Sequence, residues 1–207
     1  TIIAIWQWEE DQMSRVGIFM ADGCEEIEGL TPVDYLRRAG VEVYTVAVPS
    51  PTMQDPYIVT GSHKVPVIAD LTLDEYFDSC KDELPDCVVC PGGMPGATNL
   101  AANGDLLKHL ENCYSSGKLV AALCASPAVV LGKTNILEGK KWTCYPEMQE
   151  NAKAEYLSGY SNEAFIVDGS LVTGRGPGAS EQFAMELVKI LAGQDVAKKV
   201  HDGSQQR

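Results

Sequence analysis

Histidine is scarce in this chain of 207 residues, which has only His63, His109 and His201. None lies between Cys124 and His201. That argues against a glutamine amidotransferase-type hydrolase, whose cysteine needs a downstream imidazole base. Basic residues are also short, 16 Lys and Arg against 29 Asp and Glu, a formal net charge of −13. Nucleic acid and anionic lipid are bound mainly through Lys and Arg, so neither is expected as a main partner. Long hydrophobic runs are missing: the longest, such as Leu119 to Cys124, have strand length and fall far below the ~20 residues of a membrane span. The opening stretch TIIAIWQWEEDQ lacks a basic n-region, an extended apolar core and a small-residue cleavage site. It does not read as a secretory signal, and a cytoplasmic location is expected.

The seven cysteines are odd in number, and without a secretory signal they read as reduced thiols. DCVVC carries a C-x-x-C in Cys87 and Cys90. The run is of strand type, where side chains three apart point to opposite faces, so the pair reads as core thiols rather than a metal or redox motif. Cys24, Cys80, Cys113 and Cys144 have no partner histidine spacing and read the same way. No metal and no cofactor are expected.

What is present is the composition of an ordinary globule, 45% hydrophobic and 22% charged, long enough for one well-buried α/β domain. Short apolar runs alternate with helical patterns, the signature of a parallel sheet covered by helices. RVGIFMADG predicts a first strand and EEIEGLTPVDYLRRAG a helix kinked at Pro32. VEVYTVAV, DCVVC and KLVAALC predict further strands, the last buried on both faces. TGSH predicts a hairpin turn, NGDLLKHLENCYSSG an amphipathic helix, and AFIVDGSLVTGRG a hairpin turning at Asp168 and Gly169. Between these, PAVVLGKTNIL predicts a helix, KWTCY a strand, PEMQENAKAEY a short helix, and Ala179 to Val188 the start of a final helix. Residues 13–200 form the expected single domain and 201–207 a tail. MSRVG reads like a natural start, so residues 1–12 are expected to be translated leader, against a rival reading as an extension docked by Ile2, Ile3, Ile5 and Trp6.

Cys124 closes the apolar run LVAALCAS between Ala122, Ala125 and Ser126. A strand that runs into a helix through such small residues fits a nucleophile elbow, and a following helix N-terminus would lower the thiol pKa. In CPGGMPGA, Gly92 and Gly93 stand at a strand end, where backbone without a Cβ can bring an N–H to a substrate oxyanion. GCEEIEG places Glu25, Glu26 and Glu28 just after the first strand, so that at least one can reach the same sheet edge. Each signal alone is weak, and together they describe one site.

DGCEEIEGLTPVDYLRRAGVEV, CVVCPGGMPGATNL, VAALCASPAVVL, YPEM and LVTGRGPGASEQFAMELV resemble the successive blocks of the ThiJ/PfpI superfamily, in its protein-deglycase branch. The likeness covers residues 14 to 200. It implies a flavodoxin-like fold of the class I glutamine amidotransferase-like kind, a parallel sheet flanked by helices, assembled as a homodimer. By the same resemblance Cys124 is the nucleophile, Glu28 a protonated acid hydrogen-bonded to its sulfur, and Gly93 and Ala125 the donors of backbone N–H groups to the site. Glu25 and Glu26 read as solvent-facing or structural. Two positions depart from the family pattern. Tyr145 stands where the family often has a histidine, which removes a proton shuttle but leaves a hydrogen-bond donor for a substrate oxygen. Ser126 replaces a glycine and either adds a hydroxyl to the turn or caps the next helix. His63, in a turn that carries a basic residue in the family, is a candidate with Arg38 for holding an anion, and His109 and His201 read as surface residues. The resemblance implies a glutathione-independent glyoxalase or deglycase acting on a small reactive aldehyde such as methylglyoxal, or on glycated protein, under carbonyl and oxidative stress. The alternative is a non-enzymatic redox sensor or chaperone that works through oxidation of Cys124.

Overall fold

The computed structural model describes residues 13–206; the expected leader, residues 1–12, lies outside them. The strands are β1 (Arg15–Met20), β2 (Glu42–Ala47), β3 (Ile58–Thr60), β4 (Pro66–Ile68), β5 (Leu71–Thr72), β6 (Cys87–Cys90), β7 (Leu119–Leu123), β8 (Phe165–Asp168) and β9 (Leu171–Gly174). The helices are α1 (Glu26–Arg38), α2 (Leu73–Ser79), α3 (Gly96–Ala102), α4 (Gly104–Ser115), α5 (Ser126–Val129), α6 (Ser180–Ala192) and α7 (Gln194–Ser204). Seven strands form one sheet in the order β5-β2-β1-β6-β7-β9-β8, parallel except for the β8–β9 hairpin. The strand order reverses between β1 and β6, and open α/β sheets bind ligands beyond the carboxyl ends of strands at such a point.

Strand alternation divides the core into two layers. Phe19, Val46, Val88, Cys90, Val120 and Ala122 pack on one face, with Tyr76 of α2, Leu100 of α3 and Leu106 and Leu110 of α4. Ile18, Ala47, Cys87, Val89, Ala121 and Leu123 pack on the other, with Leu36 of α1, Phe183 and Leu187 of α6 and Val200 of α7. Cys87 and Cys90 thus fall in opposite layers, as the period of a strand requires, and all seven cysteines are free and buried. Pro32 lies inside α1, which continues through it to Arg38. The TGSH segment turns between antiparallel β3 and β4. Among the described residues no helix is long and apolar enough to cross a membrane.

Several elements differ from expectation. PAVVLGKTNIL supplies only the single turn of α5 and a 3-10 turn over Leu131–Lys133. KWTCY forms no strand, because Thr143 N–H donates to the Thr173 hydroxyl at 2.9 Å rather than to a backbone carbonyl, leaving one isolated bridge between Trp142 and Tyr160. PEMQENAKAEY makes 3-10 turns at Gln149–Asn151 and from Ala154. The residues read as a tail belong to α7 as far as Ser204. His109 is half-buried rather than superficial, its ring 5.5 Å from Tyr76 and 5.2 Å from Phe77, and burial lowers its pKa to about 4.

Candidate active site

Cys124 sits between the end of β7 and α5 with φ +58°, a left-handed conformation that side-chain-bearing residues rarely hold and that costs about 1–3 kcal/mol. The surroundings impose it: Cys124 N–H donates to Gly174 O at 2.8 Å, and Cys124 O accepts from Tyr145 N–H at 2.8 Å. The thiol is thereby held at the carboxyl edge of the sheet, 8% exposed. Backbone N–H groups of Gly93 and Ala125 act on its sulfur. α5 is a single turn, so these two amides, rather than a helix dipole, provide the local positive field.

Glu28, in the first turn of α1, is fully buried. Its Oε2 accepts Gly92 N–H at 2.8 Å. Oε1 has no conventional hydrogen-bond partner; the carboxyl interacts further with the Cys124 thiol and with the Glu25 charge. Gly92 permits that approach, since a Cβ there would stand 2.6 Å from Cys124 Cβ and 2.9 Å from Glu28 Oε2. Gly93, at φ +82°, would drive a Cβ into the Glu25 backbone.

The electrostatics correct the expectation of a standing low-pKa thiolate. Burial, reinforced by the Glu28 charge, pushes the Cys124 thiol up to about 12, against the lowering effect of the Gly93 and Ala125 amides. Burial also lifts Glu28 to about 7, although the Gly92 hydrogen bond lowers it. Two buried acids this close carry at most one negative charge between them near neutrality. One proton can therefore pass between the Cys124 thiol and the Glu28 carboxyl.

The other expected site residues divide. The Gly93 and Ala125 amides lie by the sulfur, whereas the Gly92 N–H is turned to Glu28 Oε2 at 2.8 Å. Ser126 is fully buried and donates to Pro91 O at 2.6 Å; it ties the β6 loop to the elbow and does not cap α5. Tyr145 is 49% exposed and borders a cavity of about 280 Å³ with Arg175, Gly176 and Pro177. Both walls of this cavity are tied to Cys124 through the Tyr145 and Gly174 backbone bonds. RGPG marked the second wall in the sequence, but nothing there assigned Arg175 or Gly176 to the site.

Arg38 and His63 do not meet within the chain. Arg38 ends α1 and pairs with exposed Asp34 at 2.7 Å. It stands twelve residues, ~18 Å of helix, beyond Glu26, the partner of His63 at 2.9 Å. A turn engaged by two carboxylates is a poor anion holder. Glu25 and Glu26 are themselves buried, 8% and 7% exposed, which excludes the solvent-facing reading and retains the structural one.

The DJ-1/PfpI family matches residues 14–190. Protein DJ-1 homolog B of Arabidopsis thaliana is 36% identical over 90% of this chain and 40% of its own length. The chain thus spans less than half of that relative. Protein dj-1beta of Drosophila melanogaster is 35% identical over 90% of this chain and 94% of its own. Deglycase PfpI of Pyrococcus furiosus is 29% identical over 86% and 99%. The structure of oxidized Toxoplasma gondii DJ-1 superposes with a TM-score of 0.82 at 34% identity, covering 93% of this chain and 98% of the other. In sequence along most of its length, and in the parallel sheet that presents Cys124, the chain belongs to the DJ-1/PfpI family.

Proposed function

We propose that Cys124 and Glu28 form a cofactor-independent centre that converts 2-oxoaldehydes such as methylglyoxal to 2-hydroxy acids, or removes their early adducts from proteins. The observation that carries this reading is Glu28, a carboxyl lifted to about 7 beside a buried thiol, the range suited to a general acid and base at neutral pH. Cys124 sulfur adds to the aldehyde carbon while Glu28 takes the thiol proton, giving a hemithioacetal. The Gly93 and Ala125 N–H groups favour the negative charge that develops there. Glu28 returns that proton to the alkoxide and then, as carboxylate, carries the proton from the former aldehyde carbon to the neighbouring carbon while the hydroxyl proton passes to the former ketone oxygen, which leaves the thioester of a 2-hydroxy acid. Water cleaves the thioester, so that methylglyoxal plus water gives lactate and the free thiol. Tyr145, exposed at the cavity, can donate its hydroxyl to a substrate oxygen.

The relative named Deglycase PfpI supports this class of chemistry, and the cavity of about 280 Å³ bordered by Tyr145 and Arg175 has room for a small carbonyl compound, although Cys124 and Glu28 do not line it. A second reading, a sensor that works by oxidation of Cys124, is favoured by Tyr145 in place of a histidine and by the oxidized state of the Toxoplasma relative. The burial of Cys124 and its raised pKa weigh against it, since peroxide attacks exposed thiolates first. Purified, reduced, chelator-treated protein should consume methylglyoxal and form lactate, with the activity lost in Cys124→Ser and Glu28→Gln. No lactate from the unaltered chain would reject the first reading, and mass spectrometry of Cys124 after mild peroxide would then test the second.

A further inference from the structure

A second group of ligating side chains meets where the turn between β3 and β4 touches the start of α1. His63 Nδ1 lies 2.9 Å from Glu26 Oε2 and 3.5 Å from Glu25 Oε2. Ligand atoms of all three residues lie within 4.8 Å of one another. Donors bound ~2.1 Å from a zinc ion stand ~3.0–3.4 Å apart, in octahedral or tetrahedral arrangement. The two His63 edges are close to that spacing before any ion is considered. We propose that Glu25, Glu26 and His63 form a binding site for a first-row divalent cation, with Zn²⁺ as its representative.

Three features distinguish this group from a solvated acidic surface. The carboxylates are almost buried, with side chains 11% and 9% exposed, so water does little to spread their charge, and a single imidazolium offsets only one of the two. Glu26 is held in place, its Oε1 accepting His63 N–H at 2.7 Å and Val65 N–H at 3.4 Å, which leaves Oε2 for the ring. Gly61 makes room for it, because a Cβ there would overlap the Glu26 carboxylate. Ser62 Oγ stands 3.2 and 3.3 Å from the same two oxygens, in position to bind the ion or an intervening water.

Within a single chain the His63 side chain is 70% exposed, and a cavity of about 330 Å³ lined by Gly61, Ser62 and Asp22 adjoins the turn. Two carboxylate oxygens and one imidazole suit Zn²⁺, Co²⁺, Mn²⁺ or Fe²⁺ better than soft Cu⁺. The ion would replace the proton that His63 shares with Glu26. It would clamp the hairpin to α1 two residues before Glu28.

The test is calorimetric titration of chelator-treated, reduced full-length protein with ZnCl₂, together with its thermal unfolding and the absorption spectrum of the Co²⁺ complex. The expected result is one Zn²⁺ per chain with a raised unfolding temperature, and a Co²⁺ spectrum without thiolate charge-transfer absorption. Affinity should fall at least tenfold in His63→Ala, whose exposed side chain can be removed without disturbing the core, and in Glu25→Gln, and should be unchanged in Cys124→Ser. Absence of saturable binding, full affinity in His63→Ala, or loss in Cys124→Ser with a thiolate band in the Co²⁺ spectrum would each overturn the proposal.

Discussion

Glu28 keeps its proton to about 7 because burial opposes its charge, and this couples folding to pH. A carboxyl whose folded pKa is raised contributes stability that is complete below its unfolded value, near 4.5, and is lost as pH rises through about 7. Glu28→Gln cannot ionise. Relative to the unaltered chain, its unfolding free energy should therefore improve by about 3 kcal/mol between pH 4 and pH 8, measured by urea denaturation; an unchanged difference would contradict the assignment. The proposed methylglyoxal turnover should rise with pH to an inflection near about 7, read from initial rates of lactate formation. Tyr145→His should raise that rate several-fold by restoring a group that titrates near neutrality, and an unchanged or lower rate would show that Tyr145 limits nothing. The elbow at Cys124 and the glycines at Gly92 and Gly93 could be read from local signals, a strand end and small residues, whereas the choice of Glu28 among three carboxylates and of Ala125 as an N–H donor rested on the family resemblance. The fates of Ser126 and Gly92 were not legible, since their partners, Pro91 O and Glu28, lie 35 and 64 residues away.

Among the elements, the parallel strands other than β5 and the two hairpins were legible from apolar runs and turn residues. α2 escaped notice although Thr72 and Glu75 form a capping box at its start, a signal present in the sequence as Thr-Leu-Asp-Glu. Seven residues gave too little periodicity to stand out. Thr72→Ala should cost about 1 kcal/mol by urea denaturation. β1 is sensitive for another reason: a Cβ on Gly17 would meet the Tyr76 hydroxyl at 2.5 Å, so Gly17→Ala should destabilise by about 1–3 kcal/mol and lower the thermal midpoint. The segment after β7 misled because its apolar residues fill gaps between turns instead of following one helix. Gly132 there packs against Ala152, with room for no Cβ beyond 2.9 Å.

For the molecule as a whole, an apolar face remains in solvent. Ile27 and Leu30 on α1 and Ile58, Val65 and Ile68 on the adjoining hairpin are 38–76% exposed. A homodimer that covers this face predicts twice the chain mass by light scattering, and monomeric mass for Ile68→Lys; monomeric mass for the unaltered chain would reject the dimer. Trp142 offers a separate handle. It is fully buried, donates its indole N–H to Tyr156 O at 2.8 Å, and precedes by three residues the Tyr145 whose N–H rests on Cys124 O. The other two tryptophans, Trp6 and Trp8, fall in the first twelve residues. A chain begun at Met13 would carry one tryptophan, sealed in a dry setting three residues from the Tyr145 that rests on Cys124. Its emission would shift to the red when that segment lifts away, so opening of the catalytic wall could be timed optically without an attached dye.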